Sequence, residues 1–183
     1  LDNRLWSFRG KKPQLNKISF YNKYTFKPDE SYTFWNHITD LPIEFSRNFL
    51  VNEYASADKK QYIRKIFERL VKYQKRTRLA FKITGPGRIG YLHSIFPDAI
   101  FIEITREPFA NIHSLLKAPF WKDRGMHQLW WQGAYTEYEQ KLAIRLKNKP
   151  ALLTAMQYCK VREKTIEEAE AHKVEIYSFS YED

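Results

Sequence analysis

Residues 101–121 read FIEITREPFANIHSLLKAPFW and set an arginine where a strand gives way to a helix. Phe101, Ile102 and Ile104 make a short β-rich run, Pro108 suits a first helical position, and Phe109, Ile112, Leu115 and Leu116 recur at helical spacing. Arg106 therefore stands at the carboxyl end of a strand. Ligands of open α/β sheets bind at that edge, and a planar, permanently charged fork suits a phosphate there better than it suits a protein core. The chemistry expected of Arg106 is recognition of a phosphate-like anion.

The elements that would position it can be read on either side. LAFKI at 79–83 reads as a short strand, and TGPGRIG follows it with three of the six glycines in the chain. Ile89, Leu92, Ile95 and Phe96 then recur at helical intervals up to Pro97-Asp98, and AIFIEIT closes the unit as a strand. Strand, glycine-rich loop, helix and strand predict a βαβ unit with parallel strands. Upstream, Ile63, Ile66, Phe67, Leu70 and Val71 form the inner stripe of an amphipathic helix capped by Ser56 or Asp58. Downstream, helices are expected over roughly 128–148 and 151–171, the later turns of the charged tail REKTIEEAEAHK facing solvent, before KVEIYSFSYED supplies a third strand-like run. The fold class expected is α/β, a mainly parallel sheet flanked by helices.

Composition bounds the answer further. The 183 residues, 43% of them hydrophobic, suffice for one domain with a sizeable core, and residues 1–183 show no linker, repeat or low-complexity stretch. A formal charge of +10 favours anionic partners, from nucleotides to nucleic acid and acidic glycans, although solubility alone would explain it equally. Cys159 is the single cysteine, so neither a disulfide framework nor a cysteine-rich zinc site is available, which suits a reducing compartment and a cytoplasmic location. No window approaches 18 uninterrupted apolar residues and no signal peptide is evident, so a soluble protein without a membrane segment is expected. The chain starts at Leu1 and stops at Ser-Tyr-Glu-Asp after an apolar strand, which reads as a piece of a longer protein.

With these pieces in hand, the segment LAFKITGPGRIGYLHSIFPDAIFIEITREPFANIHSLL resembles the middle of the sulfotransferases that use 3′-phosphoadenosine 5′-phosphosulfate (PAPS). That family's pattern of a strand-end lysine, Phe-Pro-Asp-Ala, Arg-x-Pro and a serine eight residues after the arginine is met by Lys82, Phe96-Pro97-Asp98-Ala99, Arg106-Glu107-Pro108 and Ser114. Tyr181-Glu182-Asp183 is similar to the family's Tyr-Glu-Asp; together the matches cover roughly a quarter of the chain, at 79–118 and 174–183. The resemblance implies a P-loop-NTPase-like sulfotransferase fold, PAPS as cosubstrate and adenosine 3′,5′-bisphosphate as product. It gives Arg106 and Ser114 the 3′-phosphate, Tyr181 the adenine, and Lys82 the sulfuryl group and leaving phosphate, with no metal required. Plainer readings stand beside each role: a surface salt bridge from Arg106 to Glu103 or Glu107, a Ser114 hydroxyl bonded to its own helix, a Lys82 snorkelling from a strand end, and a half-buried strand tyrosine at Tyr181.

The chain departs from that family in two places. The amino-terminal loop that cradles the 5′-phosphosulfate is absent, since TGPGRIG lacks a Gly-Lys-Ser or Gly-Lys-Thr ending and in register belongs after Lys82. The domain is accordingly expected to lack that loop and a C-terminal portion, so that this chain alone could be inactive. The base is unassigned: Thr84 occupies the position of the family's base histidine, His93 reads as a packed or exposed helix residue, and Glu30, Glu44 and Glu53 cannot be ranked. Trp6, Phe20, Tyr21, Tyr24, Phe26, Phe34 and Trp35 suit a core better than the wall of a pocket for a small-molecule or glycan acceptor. The alternatives are a basic nucleic-acid-binding module, suggested by VKYQKRTR and FRGKK, and a nucleotide-binding relative without catalysis. A nucleotide kinase is disfavoured by the missing Walker A lysine.

Overall fold

A computed structural model describes residues 32–181, so the expectations for Trp6, Phe20, Tyr21, Tyr24, Phe26, Glu30, Glu182 and Asp183 lie outside the described residues. The described chain opens with α1 (Tyr32–Thr39), whose Trp35 stacks on Phe45 with ring centroids 4.8 Å apart. Phe34 packs against the same cluster, so the two described members of the aromatic first third are core residues. Helix α2 (Ala57–Gln74) starts at Ser56, whose hydroxyl accepts from the Lys59 N–H, and buries Ile63 and Phe67 beside Trp35. Lys75 ends it in the left-handed conformation, returning its N–H to the Lys72 carbonyl.

Helix α3 (Ile89–Ile95) carries Tyr91, Leu92 and Ile95 into this core. Strand β1 (Phe101–Thr105) follows, then α4 (Pro108–Lys117), the single turn α5 (Pro119–Lys122), α6 (Glu137–Leu146), α7 (Pro150–His172) and strand β2 (Ile176–Ser180). The two strands pair in parallel, from Phe101 opposite Ile176 to Thr105 opposite Ser180. Glu103 on one sheet face reaches Arg162 of α7, whereas Ile102 and Ile104, with Tyr177 and Phe179 opposite them, are exposed on the other. The architecture is α/β, with helices and a small parallel sheet.

Four expectations need correction. LAFKI forms no strand: Leu79 and Ile83 pack on the core, the 38% exposed Phe81 touches the Trp35 and Phe67 rings, and Ala80 and Lys82 face out, but a strand is defined by its ladder, and none runs alongside this segment among the described residues. The parallel pair is accordingly β1 with β2. Residues 128–136 are irregular, because their backbone bonds to residues 47–49: Gln132 donates to the Arg47 carbonyl at 2.8 Å and Phe49 to the Gln132 carbonyl at 3.0 Å. The charged end of α7 is partly buried, Glu168 and Ala169 included, since it crosses over α3 and the glycine loop. Helix α4 buries none of its apolar positions fully, and Phe109 is 82% exposed.

Candidate functional site

The carboxyl ends of β1 and β2 are level, and the residues that follow them are Arg106 and Tyr181. The Tyr181 N–H donates to the Thr105 carbonyl at 2.8 Å, which extends the ladder by one step and fixes the tyrosine beside the end of β1. The Thr105 hydroxyl donates back to the Phe179 carbonyl at 3.2 Å. Arg106 lies over the Tyr181 ring, its guanidinium carbon 5.2 Å from the centroid, within cation–π range. Two residues 75 apart in the chain are thus brought together at one edge of the sheet. Tyr181 is 69% exposed and Arg106 is exposed beside it, so the pair faces solvent.

Helix α4 begins directly behind Arg106. Glu107 caps it, accepting from the Phe109 and Ala110 N–H groups at 3.1 and 2.6 Å, so a carboxylate already complements the positive end of the helix dipole. Ser114 is exposed on this helix, on the same face as Glu107 and Asn111, seven and three residues earlier. Glu103, offered in the sequence as a partner for Arg106, instead bonds Arg162 at 3.2 Å and accepts from the Ser178 hydroxyl at 3.3 Å. Lys82 is exposed on the irregular segment after α2 and does not sit at a strand end of the β1–β2 sheet. Tyr32, which sequence reasoning passed over, lies against Thr84: its hydroxyl accepts from the Thr84 N–H at 2.9 Å and donates to the Thr84 carbonyl.

The glycine loop is engaged by the protein itself. A Cβ on Gly85, whose φ is +74°, would meet the Trp131 indole at 2.4 Å, and one on Gly87 would meet Thr165 at 2.9 Å. The Gly87 N–H donates to the Thr165 hydroxyl and the Ile89 N–H to Glu168, so these donors hold α7 and cradle no phosphate. Arg88 is wholly buried, donating to the carbonyls of Asn48, Pro86 and Ser46 at 2.9, 2.6 and 3.2 Å and lying over Phe45. Burial pushes the Glu168 carboxyl up to about 7, against the pull of the Ile89 and Gly90 N–H groups and of Arg88. Its Oε1 has no hydrogen-bond partner among the described residues. Neither Arg88 nor Glu168 carries a sequence signal of burial, the first sitting in a polar loop and the second in a charged helical tail. An open groove of about 500 Å³ lies between β2 and the end of α7, lined by Glu103, Arg162, Lys173 and Glu175 among others, and it includes none of Lys82, Arg106, Ser114 or Tyr181. Among the described residues no helix is long and apolar enough to cross a membrane.

Comparison of the chain with family models, with curated proteins and with solved structures finds no match in any of the three.

Proposed function

We propose that the protein is the core of a PAPS-dependent sulfotransferase on a P-loop-like fold, with Arg106, Ser114 and Tyr181 holding the adenosine 3′,5′-bisphosphate half of the cosubstrate. The observation that carries this reading is the juxtaposition of Arg106 and Tyr181 at the ends of two parallel strands. A guanidinium beside an exposed aromatic ring supplies the two contacts a 3′-phosphorylated adenosine needs, a bidentate anion contact and a face on which a base stacks. The order and spacing of Lys82, Phe96-Pro97-Asp98, Arg106, Pro108 and Ser114 support it independently.

PAPS when bound supplies a sulfuryl group whose sulfur forms the new bond to an acceptor oxygen or nitrogen as its bond to the 5′-phosphate oxygen breaks, the electrons remaining on that phosphate. Lys82 offsets the charge developing there by donating from its ammonium. Thr84 has no proton affinity near neutral pH, so the acceptor proton passes to a group other than the residue at that position. Tyr181 orients the base and Arg106 with Ser114 the 3′-phosphate, which sets the distance from that anchor to the reacting sulfur. The acceptor is a small molecule or a glycan.

A thermal-shift panel separates this reading from a nucleic-acid module. Adenosine 3′,5′-bisphosphate should raise the Tm more than adenosine 5′-phosphate or ATP at equal concentration. A shift with an oligonucleotide and none with the bisphosphate would replace the enzymatic reading with the nucleic-acid one.

A further inference from the structure

Two aromatic rings stand open on a basic helix. Tyr62 and Tyr73 of α2 are 48% and 62% exposed. They lie eleven residues apart, about three turns, so both rings fall on one side of the helix, about 16 Å from each other along it. Lys65, Arg69 and Lys72 fill the adjoining row between them and are exposed, because Ile63 and Phe67 hold the opposite side in the core. Among the described residues none of these three cations is paired with a carboxylate. Arg64 differs from them, since its Nε donates to the Ile95 carbonyl at 2.5 Å and serves the fold. The Lys59 ammonium lies over the Tyr62 ring at 5.8 Å, so ring and cation are presented together.

We propose that this face of α2 binds single-stranded nucleic acid. The cations supply contacts to successive phosphates, and the two tyrosines supply platforms on which unpaired bases stack, far enough apart that each meets a different base. An acidic glycan or an acidic protein would use the cations and leave both rings idle. A duplex, whose bases stack on one another, would do the same. An anionic membrane surface would call for the apolar side of the helix, which the core already holds. The proposal does not rest on the sulfotransferase reading, since neither Arg106 nor Tyr181 enters it.

The test measures binding of fluorescent decathymidylate to the full chain and its variants at several salt concentrations, with a heparin decasaccharide as a polyanion that carries no bases. Tyr62→Ala, Tyr73→Ala should weaken decathymidylate about tenfold or more at every salt concentration, with its salt slope unchanged, and should leave heparin binding within about twofold of wild type. Tyr62→Phe, Tyr73→Phe keeps the rings and should bind as the wild type does. Lys65→Gln, Arg69→Gln, Lys72→Gln should weaken both ligands and flatten their salt dependence, whereas Lys141→Gln, Arg145→Gln, Lys147→Gln on α6 should cost less than about threefold. Unchanged decathymidylate binding in the alanine pair would leave charge alone at this face and overturn the proposal. Equal losses in the two charge variants, or tighter binding of a stable duplex, would overturn it too. Adenosine 3′,5′-bisphosphate should leave decathymidylate affinity unchanged; competition between the two would move the oligonucleotide to the Arg106–Tyr181 edge and contradict the proposal. Decathymidylate binding lost only in the α2 variants, in a protein that takes no bisphosphate, keeps this surface and removes the sulfotransferase reading alone.

Discussion

Arg106, Arg88 and Glu168 are three charged residues in three different settings: exposed after a strand end, fully buried among carbonyls, and buried against the start of α3. Arg88 is fully buried with its donors spent on three carbonyls, so Arg88→Ala should cost about 3 to 5 kcal/mol, measured by urea unfolding, through stranded carbonyls and lost packing. Glu168 works against the fold at high pH. Its folded-state pKa of about 7 lies above that of an exposed glutamate, so between about pH 4.5 and 7 the folded state holds a proton that the unfolded state has released. Stability from this residue is therefore present below that window and falls as pH rises through it, by about 3 kcal/mol in all. Glu168→Gln keeps an acceptor for the Ile89 N–H and removes the titration. The variant should be close to wild type at pH 5 and more stable than wild type at pH 8; an unchanged pH profile would show that Glu168 ionises freely in the fold. On the proposed reading Ser114 contributes less than Arg106, and Ser114→Ala should weaken adenosine 3′,5′-bisphosphate by nearer 1 kcal/mol, read by calorimetry.

At the scale of elements, the helices with local signals are legible and the pairings are not. Ser56 before an apolar stripe marks the start of α2, and Pro108 marks the start of α4, because caps and first-turn prolines act within a few residues of themselves. The strand expected at 79–83 has the right alternation and lacks a neighbour, a long-range condition that alternation does not encode. Trp130 and Trp131 fall within the helix expected over 128–148, but Gln132 finds its partners in residues 47–49 and Gln157 of α7 takes the Trp130 N–H at 2.8 Å. The burial of α7 was hidden for a related reason, since Lys160 is buried only because Glu139 of α6 and Glu163 bond it at 2.6 and 2.8 Å. Burial disfavours the Lys160 ammonium, yet the hydrogen bonds it donates to the two carboxylates outweigh it and hold the pKa above the ordinary lysine value. Removing one partner of such a pair strands the other charge, so Lys160→Ala should cost about 2 to 4 kcal/mol, and Lys160→Met, which fills the volume, less. Equal stability of Lys160→Ala and wild type in urea would contradict the role given to this ion pair in joining α6 to α7. In the candidate site, Arg106 was legible as a strand-end cation, while its contact with Tyr181 depends on the β1–β2 pairing.

At the scale of the whole molecule the basic surplus is concentrated, residues 57–78 holding nine Lys and Arg against Asp58 and Glu68. The sulfotransferase reading rests on the Arg106–Tyr181 edge binding a 3′-phosphate. Calorimetry of Arg106→Ala with two ligands at fixed salt tests that most directly, because adenosine 5′-phosphate lacks the group in question. The variant should bind adenosine 3′,5′-bisphosphate about 30- to 150-fold more weakly, a loss of about 2 to 3 kcal/mol, with adenosine 5′-phosphate nearly unchanged and Arg106→Lys recovering only part of the loss. Equal losses for the two nucleotides would mean that Arg106 supports the sheet edge and reads no 3′-phosphate, and the sulfotransferase reading would fail with it.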